Sequence, residues 1–419
     1  MRKNEVPYFS TGCDLLDMVV GGAENVFGYP AGKFINIVGD KSAGKTFLAN
    51  ELIAAAYHRF GKKEFRWIYD DCESGYSFNT KEMYGVEIMP EGTPRSETVE
   101  KAFCNISDFA DSLKAGQFGI YVIDSLDGLG SIEAEKMAQN RLKAHKAGKE
   151  FDEGSYRMGK PKYLSQEFFP QLCNVVQDKN ILVVIISQVR ENIDPFSFEK
   201  YKRNGGKSMD FYAHSVLWLA TLKKVAKKSR SVGVVVKAKM TKSKTPRPFR
   251  ECMFTLLFDY GLDNTGTCLD FLYELRTDKG ELQPASKSLS WGGEGTPEKP
   301  NTLKIKKWMK EIIVEAEKSP KGKRVTALER YKETNERVTL DGMIEFINSN
   351  EFLKEKYDET FGGAGIILSR EKLIEYIEND EIQKELLKKL VQEKWEKIEH
   401  EVKSHRRKRY GSQPRTGEE

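Results

Sequence analysis

Apolar residues fall in two rhythms along this chain. Near-continuous runs at residues 34–38, 65–69, 120–123 and 181–186 are separated by longer stretches of mixed polarity with helical spacing. Short runs rich in β-branched and aromatic residues, without polar alternation, predict strands buried on both faces, as in a parallel sheet. Residues 47–57 read as a helix after the first run. Farther on, residues 216–222, 232–239 and 252–258 are separated by close turns and alternate more clearly, which predicts antiparallel strands added at one edge. The fold class is therefore α/β with a mixed, mostly parallel central sheet.

Between residues 280 and 300 the composition shifts to Gly, Pro, Ser and Thr (SWGGEGTPEKP), the mark of a linker, set here at 291–302. Beyond it, residues 303–318, 340–356 and 371–404 carry apolar side chains at helical spacing, with Thr339 and Ser369 as N-caps. In the last stretch Leu387, Val391, Trp395, Ile398 and Val402 form a face expected to dock on the chain's own domain. The expected division is a short segment 1–8, a core 9–290, a helical C-terminal domain 303–404 and a basic tail 405–419.

Charge changes this picture little. The formal net charge is +5, with 31% charged residues, so attraction to nucleic acid must come from clusters such as KKVAKKSR at 223–230 and RRKR at 406–409. Six cysteines lie scattered with no C-x-x-C pair, which predicts reduced thiols and no structural zinc. There is no apolar signal core, and the longest apolar run is too short to span a bilayer. The expectation is a cytoplasmic protein with no membrane partner.

The chemistry begins where residues 39–46 read GDKSAGKT, after a strand pattern and before a helix pattern. In that order, backbone N–H groups at the helix start cradle a β-phosphate, Lys45 reaches the β/γ-phosphates and Thr46 binds Mg²⁺. The candidate nucleotide-binding set is Gly39, Asp40, Lys41, Ser42, Ala43, Gly44, Lys45, Thr46 and Phe47, and the implied cofactors are ATP and Mg²⁺. A second metal anchor is expected at a neighbouring strand end, and Asp124 stands there after 118–123, so Thr46 and Asp124 are the candidate metal residues. Glu73, after the strand pattern at 65–69, is placed to polarise water. Ser187-Gln188-Val189-Arg190 ends the fourth run, where bound nucleotide would be sensed.

Taken in order, STGCDLLDMVVGG at 10–22, the phosphate loop, DCE at 71–73, IDS at 123–125, SQVR at 187–190, GGKSMDFYAHSV at 205–216, KSKTPRPF at 242–249 and FDYGLD at 258–263 resemble the RecA family of ATP-dependent recombinases. The resemblance spans roughly residues 9–275. It implies a RecA-like P-loop NTPase core with a C-terminal helical region. It also implies a Mg²⁺-dependent, DNA-dependent ATPase that binds single-stranded DNA and promotes pairing and strand exchange with homologous duplex DNA. Subunits would form a helical filament with ATP sites between them, loaded by a mediator or single-strand-binding protein. By position, Glu73 looks like the water-activating glutamate and Gln188 like the residue coupling the γ-phosphate to a DNA loop. Lys242 and Lys244 look like the pair that reaches a neighbour's γ-phosphate. With Lys45 these form the candidate catalytic set.

Two regions would then meet DNA. One is 133–162, long and charged, with Arg157 and Lys160 at its end. The other follows Arg190 through 191–206 (ENIDPFSFEKYKRNGG), where Phe196, Phe198 and Tyr201 interleave with Lys200, Lys202 and Arg203 before Gly205 and Gly206. Cations track phosphates while rings stack on bases, without reading sequence. The chain departs from the family in its short segment ahead of the core, in its C-terminal region, and in Thr80, which stands where the bacterial family has a base-stacking tyrosine; Tyr76 and Tyr84 are nearby substitutes. These departures, with a lengthened segment at 133–150, fit a phage-type, UvsX-like member acting in the host cytoplasm near the nucleoid. The competing readings are a recombination mediator or regulatory ATPase without long filaments, a ring-forming translocase or helicase, and a small-molecule kinase.

Overall fold

The computed structural model describes residues 7–21, 27–147, 159–191, 201–203, 206–245, 247–287, 289–291, 302–314, 325–335, 338–361 and 366–403. The four apolar runs become parallel neighbours in the order Phe65–Asp71, Phe118–Asp124, Ile181–Glu191 and Lys33–Gly39, followed by a fifth parallel strand, Ser215–Lys227. Ile120, Val122, Leu182 and Val184 enter one hydrophobic core, and Tyr121, Ile123, Val183 and Ile185 enter the other. Burial on both faces is the reason these runs lack polar alternation. Arg230–Ser243, Glu251–Leu257 and Gly261–Leu262 then extend the sheet antiparallel at one edge. The charged 223–230 stretch continues the ladder to Lys227↔Arg230, so it lies at the end of a long, exposed hairpin.

The C-terminal region is built differently from the periodicity alone. The helix expected at 303–318 is Thr302–Glu311, after which Ile313–Val314 pairs with Val325–Thr326. The helix expected at 340–356 is two, Leu340–Asn348 and Glu351–Phe361, and that expected at 371–404 is also two, Arg370–Glu378 and Glu381–Glu401. Asn350 Oδ1 accepts from Leu353 N at 3.1 Å and Asp380 Oδ1 from Ile382 N at 2.8 Å. Each restarts the chain by capping a new first turn instead of continuing the old one. Thr339 and Ser369 cap as expected, accepting from Gly342 N and Lys372 N.

Residues Ile305, Trp308, Tyr331, Met343, Leu353 and Tyr357 share a small core of their own. The last two helices belong elsewhere: Leu373, Ile377, Leu387 and Val391 pack into the main core beneath the sheet. Leu289–Trp291 pairs with Ile366–Leu368 just before them. Of the five-residue face, Leu387 and Val391 are buried, Trp395 packs at the core's edge, and Ile398 and Val402 are exposed.

A buried ionic cluster fixes this docking. Arg370 Nε and Nη2 donate to Asp270 Oδ1 and Oδ2 at 2.6 and 3.1 Å, Arg276 Nε reaches Asp270 Oδ2 at 2.6 Å, and Asp263 lies 3.6 Å from Arg370. Breaking a buried pair from one side leaves uncompensated charge. Arg370→Ala is expected to lower stability by about 3–5 kcal/mol, read as a fall in the urea midpoint at unchanged slope. An unmoved midpoint would show that this cluster does not hold these helices in place.

Candidate nucleotide-binding site

The Lys33–Gly39 strand runs into the glycine loop and then into the helix Lys45–Glu64, whose N-terminus has no side-chain cap. Its first N–H groups and the positive end of its dipole therefore face the loop. Gly44 sits at φ +85°, a conformation strained for any residue with a Cβ, which would also crowd Leu256 Cδ1, so the cradle needs glycine. Lys45 Nζ donates to Gly39 O and Asp40 O, both at 2.9 Å, which keeps the ammonium over the loop. Burial pulls its pKa down, opposed by Asp124 and Asp40.

Thr46 Oγ1 donates to Asp124 Oδ2 at 2.8 Å, and Tyr69 OH donates to the same oxygen at 2.6 Å. Burial pushes the Asp124 carboxyl up, against those two hydrogen bonds. The expected metal pair is thus in contact, a hydroxyl and a carboxylate beside a phosphate cradle. Among the described residues no cluster of three His, Cys, Asp or Glu side chains stands ready for a metal alone. The donor set suits Mg²⁺ held largely by phosphate oxygens and water.

Glu73 and Gln188 also come together. Gln188 Nε2 donates to Glu73 Oε1 at 2.7 Å, Ser125 Oγ donates to the same oxygen, and Asp127 Oδ2 accepts from Gln188 N at 2.8 Å. Ser125, quoted in the sequence only within the IDS motif, and Asp127, three residues after Asp124, were given no role there. From Gln188 the strand continues into a two-stranded ribbon, Val189↔Arg203, Arg190↔Lys202 and Glu191↔Tyr201. A movement of Glu73 is therefore one hydrogen bond from the foot of that ribbon.

The expected DNA-contacting residues divide. Arg157, Phe196, Phe198, Lys200 and Gly205 lie outside the described residues; Arg190, Tyr201 and Lys202 are placed by their backbone in the ribbon, and Gly206 opens the helix Gly206–Tyr212. Arg203 turns inward, donating to Asn36 Oδ1 and pairing with Asp210, with its side chain 6% exposed. Lys160 Nζ donates to Leu126 O at 2.9 Å and to Leu129 O. In this conformation both cations serve the fold instead of facing outward. Within 133–162, the helix Ile132–Lys146 has no buried residue and ends in Lys143, His145 and Lys146.

Near the base side, Thr80 is buried and its Oγ1 accepts from Ile88 N at 3.0 Å, while Tyr76 OH donates to Asn50 Oδ1 at 3.0 Å. Thr80 has no ring to offer, and Tyr76 is half-buried, tilted against Tyr69 and Phe78. Phe47 contacts Phe78 edge-on at 4.9 Å and Phe258 at 6.4 Å, and Phe258 is 46% exposed. Phe47 was in the candidate nucleotide-binding set, whereas Phe78 and Phe258 were given no role there because they are far from it in sequence.

Lys242 and Lys244 lie at the opposite end of the sheet. Val216 pairs with Lys242 and Ser215 with Ser243, while Ser215 aligns with Ile35, where the phosphate-loop strand enters. From Ile35 to Gly39 is four residues, about 13 Å of strand. Lys242 Nζ donates to Phe211 O at 3.0 Å and Ala213 O at 2.6 Å, and Lys244 Nζ to Tyr212 O at 3.3 Å. Both ammonium groups cap the last carbonyls of Gly206–Tyr212 and face away from their own nucleotide loop. The segment beyond them is tied to the last helix: Arg247 and Arg250 both pair with Glu399, and Arg250 lies 5.7 Å over the Trp395 ring.

A mixed sheet with a phosphate loop after one central strand and carboxylates after the next two defines a P-loop nucleotide-binding core. The RecA N-terminal domain model matches residues 1–263, and the chain belongs to the RecA family. The RecA protein of Syntrophus aciditrophicus is 28% identical over 318 residues, covering 75% of this chain and 84% of that one. The RecA protein of Chloroherpeton thalassium is 27% identical over 271 residues, covering 65% and 69%. A crystal structure of the RadB recombinase covers 61% of this chain and 98% of its own at 18% identity, with a TM-score of 0.40. No helix among the described residues is long and apolar enough to cross a membrane.

Proposed function

We propose that this chain is a Mg²⁺-dependent, DNA-dependent ATPase that coats single-stranded DNA and promotes homologous pairing and strand exchange. Family membership supports a recombination and repair ATPase. The observation that carries the finer reading is the Glu73–Gln188 hydrogen bond at the foot of the Val189–Arg203 ribbon. Through it, the state of the γ-phosphate is coupled to the aromatic and basic segment that the ribbon supports.

Each side chain has a defined task in this reading. The loop N–H groups and Lys45 hold the triphosphate, Thr46 and Asp124 hold Mg²⁺, and Phe258 with Phe47 offers the base a flat apolar face. Bound Mg²⁺ neutralises charge on the phosphates. Glu73 accepts a proton from the attacking water, and Gln188 reports whether the γ-phosphate is present. Lys242 and Lys244 cannot reach their own loop, so they complete the site of the next subunit in a head-to-tail contact, an arrangement that builds filaments when it does not close.

The testing experiment is steady-state ATP turnover at fixed low salt, with and without long single-stranded DNA, across protein concentration. Strong stimulation that rises cooperatively supports the assembling recombinase. A low rate indifferent to DNA overturns it in favour of a regulatory ATPase. Within the active site, Glu73→Gln is expected to keep ATP binding while lowering turnover by about 100- to 10,000-fold. Full turnover in that variant would place water activation elsewhere.

A further inference from the structure

Two phenols cross between the same pair of parallel strands. Tyr69 in Phe65–Asp71 stands opposite Val122 in Phe118–Asp124, and its OH donates at 2.6 Å to Oδ2 of Asp124, two residues beyond Val122. Tyr121 stands opposite Ile68, and its OH donates at 2.8 Å to Oδ2 of Asp70, two residues beyond Ile68. Diagonal neighbours on one face of a sheet lie within reach of a long aromatic side chain. Tyr69 belongs to the core that also holds Leu48 and Leu52 of the phosphate-loop helix, and Tyr121 to the core on the other face.

The two pairs finish differently. Asp70 is fully buried and takes two further donors from Ser96, N to Oδ1 at 2.8 Å and Oγ to Oδ2 at 2.5 Å, so both its oxygens are engaged within the fold. Asp124 is only partly buried, and its two side-chain donors, Tyr69 OH and Thr46 Oγ1 at 2.8 Å, meet at one oxygen, Oδ2. A carboxylate held this way cannot turn without losing both donors, and the lone pairs of Oδ1 are left to a ligand. Tyr69 is itself fixed: it is fully buried, and its ring lies 4.7 Å from that of Tyr76. A phenylalanine would fill the same apolar space, so the hydroxyl adds the second hold on Asp124.

We propose that Tyr69 is a positioning residue for Mg²⁺ at this site: its hydroxyl, with that of Thr46, holds the Asp124 carboxylate in the orientation that receives the ion of a Mg²⁺–triphosphate complex. The proposal rests on the Mg²⁺ and nucleotide part of the reading under Proposed function. Hydrogen-bond partners of metal-holding carboxylates matter by about 10- to 100-fold in metal affinity. Mg²⁺ keeps much of its water shell and leans on phosphate oxygens, which places the effect here at the lower end, about 10-fold.

The test measures binding of a fluorescent, non-hydrolysed triphosphate to the full chain without DNA, first in EDTA and then as Mg²⁺ is added. Tyr69→Phe is expected to bind the metal-free triphosphate as the native chain does, and to need about 10-fold more Mg²⁺ for the half-maximal gain in affinity. Tyr121→Phe is the matched control: it removes the same hydroxyl from the same strand pair on the opposite face, and its Mg²⁺ requirement should stay native. Turnover gives a second readout. At saturating ATP the rate of Tyr69→Phe should climb back to the native ceiling as Mg²⁺ is raised, a change in requirement and not in kcat.

If Tyr69→Phe titrates with Mg²⁺ as the native chain does, or if both variants shift alike, the hydroxyl merely fastens two strands and the proposal falls. Loss of metal-free binding with an unchanged Mg²⁺ requirement also overturns it, by assigning the hydroxyl to the phosphate cradle. Native binding that ignores Mg²⁺ would overturn the Mg²⁺ assignment and this proposal together. Native turnover that ignores DNA would sink the recombinase reading and leave the Mg²⁺ titration to decide Tyr69 by itself.

Discussion

Lys45→Ala is expected to lower ATP turnover by about 100- to 1,000-fold, with weakened triphosphate binding and an unchanged fold. The ammonium has two partners in the structure, Gly39 O and Asp40 O, and both are carbonyls of the loop itself. It is the charged donor placed over the cradle, since the helix N-terminus behind it supplies only N–H dipoles. A point charge on developing negative oxygens acts most strongly in a partly desolvated site, and burial already depresses the pKa of this lysine. Because its hydrogen bonds are to loop carbonyls that water can also serve, the substitution leaves no buried acceptor stranded. Fluorescent-nucleotide titration and turnover on one preparation check the claim, with thermal unfolding as the control. Native turnover in the variant would remove the phosphate loop from the reaction.

The parts of this site that lie at strand ends were legible in the sequence because each sits beside its own apolar run. Gly39, Glu73, Asp124 and Gln188 end or closely follow four runs whose burial on both faces makes them conspicuous, and the parallel register brings their ends to one edge. Side-chain direction was not legible. Arg203 stands among alternating rings and cations that look solvent-facing, yet Asp210 and the buried Asn36 draw it inward, and Asn36 is distant in sequence. Nor was the sheet-end separation of Lys242 and Lys244 from the loop, which follows from the antiparallel pairing of Arg230–Ser243 with Ser215–Lys227. The last helix carries a fully regular pattern, but its role in pinning Arg247 and Arg250 through Glu399 depends on a contact across about 150 residues that no local periodicity contains.

That separation gives the second large effect. Replacing Lys242 and Lys244 together with alanine is expected to remove DNA-stimulated turnover, a loss of about 1,000-fold or more where a cationic finger is supplied in trans, while the isolated subunit still binds ATP. Each variant alone resembles a broken enzyme, so mixing decides the mechanism. In a head-to-tail assembly a subunit with Lys45→Ala still offers its lysines, and a subunit lacking the lysines still offers its nucleotide. Mixed in equal amounts, about a quarter of the contacts then hold one intact half from each, and turnover returns with DNA. If both functions served one subunit, no mixture would recover. The pH dependence adds a sign. Burial, followed by the charge of Lys244, pulls the Lys242 pKa down to about 8, so in the free subunit its charge is lost as pH rises through that value. A neighbour's phosphate stabilises the charged form and raises that pKa. Assembly on DNA should therefore weaken as pH climbs from about 7.5 to 9, and the lysine-free variant should show no such decline. A pH profile identical in both would assign the lysine pair to helix capping, through Phe211 O, Tyr212 O and Ala213 O, and to nothing beyond it.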